Sequence, residues 1–75
     1  MPQYIVEDLQ TENQVLYFNA NNIKDALYST LDELCNRGVE KLLADLERVD
    51  EFHGYIRITL PFGAHYDYEV GEEGH

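Results

Sequence analysis

The chain is poor in cysteine and in positive charge, and each shortage removes a class of protein. One residue is Cys, two are Pro and none is Trp. Cys35 alone cannot close an internal disulfide, and small secreted domains usually carry several, so a reducing cytoplasm is the simplest expected compartment. No apolar run approaches the ~18 residues that span a bilayer. Met1-Pro2-Gln3-Tyr4 offers neither the basic stretch nor the apolar stretch of a secretory leader. Lys and Arg number five against fifteen Asp and Glu, a formal charge of -10. Direct binding to nucleic acid is therefore disfavoured, because phosphate affinity rests on Lys and Arg. Anionic membrane surfaces are disfavoured for the same reason.

Catalytic and ligand motifs are missing too. There is no G-x-S-x-G, no phosphate-binding glycine loop and no dinucleotide fingerprint. His53, His65 and His75 have neither H-x₃-H nor HExxH spacing, and Cys35 has no CxxC partner. Cys35 stands near a helix end whose dipole disfavours a thiolate, so it reads as a small hydrophobe. No catalytic residue, metal or cofactor is expected, and the chain is not expected to be an enzyme.

What remains is a foldable pattern. The 75 residues are 44% hydrophobic, with six Tyr and three Phe, which is too apolar for a disordered chain and suits one domain over 1–75. Tyr4–Leu9 and Val15–Ala20 read as two strands joined by the polar loop 10–14. Leu16, Phe18 and Ala20 would share one face, with Val15, Tyr17 and Asn19 on the other. Asn22 offers a helix cap, with Asp25 three residues later. Ile23, Ala26, Leu27, Leu31 and Leu34 fit a 3.6-residue period, and Gly38 suits the stop. Val39, Leu42, Leu43, Leu46 and Val49 fit the same period, predicting a second helix to about Val49; a strand beginning near Asp45 is the alternative. Tyr55–Leu60 alternates clearly, Pro61–Ala64 reads as a turn, and His65–Val70 alternates again. Residues 71–75 read as a frayed tail.

The expected order is β-β-α-α-β-β, a small two-layer α+β domain with an antiparallel or mixed sheet and helices packed on one face. The expected core is Val6, Leu16, Phe18, Ile23, Leu27, Leu31, Leu34, Leu42, Leu43, Leu46, Ile56, Ile58 and Leu60.

Two surfaces stand out as binding candidates. Asp25, Asp32 and Glu33 on the first helix, with Glu40, Asp45, Glu47, Asp50 and Glu51 on or after the second, could imitate a row of phosphates. The bland reading of any one of them is a solvated helix face. The other candidate is the sheet face away from the helices, where Val15, Tyr17, Tyr55, Arg57 and Thr59 would lie; Tyr and Arg are enriched at interfaces, and Tyr17, Tyr55 or Tyr68 would anchor a partner. In size, acidity and lack of motifs the chain resembles the small accessory proteins of phages and mobile elements, anti-CRISPR and anti-restriction inhibitors among them. The resemblance is one of type and carries no functional residue. It implies an inhibitor that masks a basic, nucleic-acid-handling protein. The alternative is a structural or adaptor protein, an obligate homodimer joined through the Tyr-bearing sheet face.

Overall fold

Residues 1–39 and 43–74 are described by the computed structural model. The first two alternating segments form β1 (Gln3–Asp8) and β2 (Asn13–Asn19). The Asp8 carboxylate sets their turn by accepting from the Gln10 and Thr11 amides at 2.8 and 3.3 Å. Helix α1 (Ile23–Asn36) starts where expected, with the Asp25 amide donating to the Asn22 side chain at 2.9 Å. It stops at Gly38, whose φ of 95° only glycine adopts without strain. There the Gly38 amide donates to the Cys35 carbonyl and the Val39 amide to the Leu34 carbonyl.

The chain then departs from the expected second helix. Leu43–Arg48 is strand β3, paired antiparallel with β4 (His53–Thr59) along its whole length, from Leu43 opposite Thr59 to Arg48 opposite Gly54. The helical spacing of Leu43, Leu46 and Val49 misleads because Leu43 and Val49 are exposed. The residues that turn inward are Ala44 and Leu46, two apart, as a strand requires. Glu40 and Leu42 lie outside the described residues. Strand β5 (His65–Glu72) follows the turn at 61–64. Gly71 and Glu72 continue β5, and the Glu73 amide bonds the Gln3 carbonyl, so the tail expected from residue 71 is sheet at its start.

The five strands form one antiparallel sheet in the order β2-β1-β5-β4-β3. The fold is α+β, with one helix among the described residues where two were expected. Helix α1 covers one face, over β3, β4 and β5. The core joins Ile23, Ala26, Leu27 and Leu34 of the helix to Val6, Leu16, Ile56 and Ile58 of the sheet. Tyr4, Tyr68 and Val70 are buried with them, and Leu43 is not. Phe18, Leu31, Leu46 and Leu60 pack at the margin. Thr30 is fully buried, and its hydroxyl is satisfied by the Ala26 carbonyl at 2.7 Å. A register shift after Val6 leaves Val15 without an opposite residue on β1. This bulge tips Val15 against the core, where strict alternation placed it on the open side.

Candidate functional site

The face of the sheet away from α1 is built by strict alternation. Val6, Ile56, Ile58, Tyr68 and Val70 point at the helix. Their strand neighbours point the other way, and half of these carry charge. Pairing sets them in rows. Asp45, Arg57 and Asp67 form one row across β3, β4 and β5. Glu47, Tyr55, Glu69 and Glu7 form the next, across β3, β4, β5 and β1. His53, Gly71, Ile5 and Tyr17 form a third. Glu73 closes the face beyond it, within reach of Tyr17.

Among the described residues this face holds the carboxylates Glu7, Asp45, Glu47, Asp67, Glu69 and Glu73, and Arg57 is its one Lys or Arg. Arg57 is already engaged: it donates to both carboxylate oxygens of Asp67, at 2.8 and 3.4 Å. That fork holds the Asp67 carboxyl below the usual carboxylate range. His65 also approaches Asp67, at 3.4 Å. The Tyr55 hydroxyl is raised above its ordinary value, first by its hydrogen bond to Glu69 and further by the charges of Glu69 and Glu47. The Tyr17 hydroxyl is raised chiefly by its hydrogen bond to Glu73, with Gln3 Oε1 the alternative acceptor for its single proton. The two tyrosines are thus tethered by carboxylates and stay protonated. Between the rows lies an open depression of about 500 Å³, lined by Asp45, Glu47, Tyr55, Arg57 and Asp67, with Leu9, Ile56 and Tyr68.

The structure divides the expected acidic surface. Asp25, Asp32 and Glu33 are exposed on α1, on the opposite side of the molecule. Asp45 and Glu47, expected on a helix, sit on β3 beside Tyr55 and Arg57. Asp50 and Glu51 lie in the turn between β3 and β4. Asp50 is occupied there: it accepts from the Phe52 and His53 amides at 2.7 and 2.8 Å, which hold its carboxyl below the ordinary range, Phe52 most strongly. Tyr17 and Tyr55 lie on the open face as expected and are exposed. Tyr68 is a correction: at 5% exposure its ring belongs to the core, because it alternates in step with Val70.

Glu7, Asp67, Glu69 and Glu73 were not among the expected site residues. The signal for two of them was present, since Asp67 and Glu69 alternate with Tyr66, Tyr68 and Val70. Glu7 required knowing that β1 sits beside β5. Among the described residues no group of three or more His, Cys, Asp or Glu is placed to hold a metal ion. Among the described residues no helix is long and apolar enough to cross a membrane. No protein-family model, no curated protein and no solved structure matches the chain.

Proposed function

We propose that the chain is a non-catalytic binding protein that docks on a basic protein surface through the open face of its sheet. It would act as a masking inhibitor of the kind phages and mobile elements encode, occupying a channel or groove made for nucleic acid. One observation supports this above the others: Asp45 and Glu47 join Tyr55, Glu69 and Glu7 on a single rigid face. Carboxylates fixed on strands repeat at roughly 7 Å along a strand and about 5 Å between strands. Such a lattice offers a basic protein negative charge at fixed positions, and Tyr55 and Tyr17 supply aromatic contact within it.

The energetic pattern favours the same reading. Glu7 directly opposes Glu69 across β1 and β5. Like charges so placed cost stability, and a cationic partner would relieve the cost. A homodimer through this face would set the acidic rows of two copies against each other, which like-charge repulsion opposes.

The test is association with a basic partner captured from the native host. Affinity should fall steeply from low to high salt. The double reversal Asp45→Lys with Glu47→Lys should slow association roughly 10-fold or more; Asp50 is left alone because it holds its turn. Salt-independent affinity, or tight binding of DNA by the pure chain, would overturn the reading.

A further inference from the structure

β2 is an edge strand of unusual chemistry for this molecule. It stands at one end of the sheet order, with β1 as its one neighbour among the described strands. Its sequence, Asn13-Gln14-Val15-Leu16-Tyr17-Phe18-Asn19, contains no charge and no proline. The opposite edge, β3, carries Asp45, Glu47 and Arg48. Charges on an edge are a common defence against unwanted strand pairing, and an edge without them is a template for it.

The direction of the open backbone groups follows from one hydrogen bond. The Ala20 amide donates to the Pro2 carbonyl at 3.1 Å. Alternation in an antiparallel ladder then assigns Phe18 and Leu16 to bonding with β1, and turns the amide and carbonyl of Tyr17 and Asn19 outward. The outward set includes the Val15 carbonyl, which the Arg37 guanidinium reaches across to cap at 3.3 Å. Tyr17 and Asn19 leave room for a new strand about 4.8 Å away.

We propose that β2 accepts an extended basic segment of the partner, which adds a sixth strand to the sheet. The choice of a basic occupant rests on the acidic-face reading above. On the helix side the added strand would meet a groove of about 350 Å³ lined by Leu16, Tyr17, Phe18, Ser29, Glu33 and Arg37. Its floor is apolar, and the Glu33–Arg37 ion pair, at 3.3 Å, stands at its wall, so the negative charge offered to the strand comes from the open-face side. On the other side the strand would meet the Tyr17 ring, with Glu73 behind it. The matching segment alternates apolar residues, toward Leu16 and Phe18, with Lys or Arg, toward Tyr17 and the open face. A second copy offers the same strand geometry, but it would bring another -10 of formal charge to the edge.

The test is amide exchange by NMR on the ¹⁵N-labelled chain with a blocked peptide of alternating lysine and valine. Exchange at Tyr17 and Asn19 should slow about 10-fold or more at saturating peptide. A glutamate–valine peptide should not slow it. Asn19→Pro removes an outward amide, which an edge strand tolerates, and should abolish the protection. Protection that survives Asp45→Lys with Glu47→Lys keeps the strand site whether or not the open-face reading stands, because both residues lie on β3 at the opposite edge. Peptide binding that the reversal abolishes, with the Tyr17 and Asn19 amides unchanged throughout, keeps the open face and overturns the strand site. Protection of the same amides without peptide, together with sedimentation as a dimer, gives the edge to a second copy and overturns the basic segment. No protection at millimolar peptide overturns strand addition altogether.

Discussion

Arg57 and Asp67 form the best-defined charged contact on the open face, and their geometry has a pH signature. The bidentate fork favours ionised Asp67, so its folded pKa lies below the unfolded one, near 3.9 in a free chain. The contact therefore contributes its full stability above the unfolded value and loses it as pH falls through the folded value. Asp67→Asn should lower the melting temperature at neutral pH, and the gap from the parent chain should narrow as pH drops below about 4. Thermal melts of both proteins at neutral and acid pH read this directly. A gap that stays constant would mean that Asp67 gains nothing from Arg57. The same residue scale explains why the tyrosines divide. Tyr17 and Tyr55 hold their hydroxyls against carboxylates on the open face, whereas burial raises the Tyr68 hydroxyl most, with Asp8 and Tyr66 adding to it.

At the scale of elements, the seat of α1 on β4 depends on one missing side chain. A Cβ at Gly54 would lie 2.8 Å from the Glu47 carbonyl oxygen and 3.0 Å from both Leu27 methyls. The first contact is with backbone of β3 and cannot swing aside, so helix and strand would have to separate. Gly54→Ala should cost roughly 1–3 kcal/mol, as overpacking of a tight core does. For a domain this size each kcal/mol lowers the melting temperature by about 4–8 °C. Calorimetry checks it, and an unchanged or raised melting temperature would show that the layers are less closely packed than described. β3 also shows why its strand was hard to read from the residues. Leu43, Leu46 and Val49 satisfy a helical period by accident, and hairpin pairing with the adjacent β4, which that spacing does not report, decides against it.

For the molecule as a whole, charge is the governing quantity. A formal -10 on 75 residues places like charges within a Debye length of one another over much of the surface. Added salt screens that repulsion, so the melting temperature should rise as salt is raised from about 0.01 to 0.15 M. Scanning calorimetry across that range is the measurement. A falling melting temperature would mean that pairs such as Arg57–Asp67 and Arg37–Glu33 outweigh the surplus. The surplus is unevenly spread. The α1 carboxylates face one way, the sheet rows face the other, and β2 is neutral between them.

Alternation and capping, which are local, were legible in the residues alone. Asn22, Gly38 and the period of Ile23, Ala26, Leu27 and Leu34 fix α1 within the chain itself, and Ile56 and Ile58 fix the inward face of β4. The surplus of acid over base is equally a property of composition. Which strands become neighbours depends on contacts between distant residues, and only the folded sheet decided that. The antiparallel placement of β1 against β5 brings Glu7 to Glu69, because proximity there is set by register between segments far apart in the chain; β3 and β4 are a local hairpin, and Glu47 meets Tyr55 only because the chain pairs as strands where its apolar spacing fits a helix.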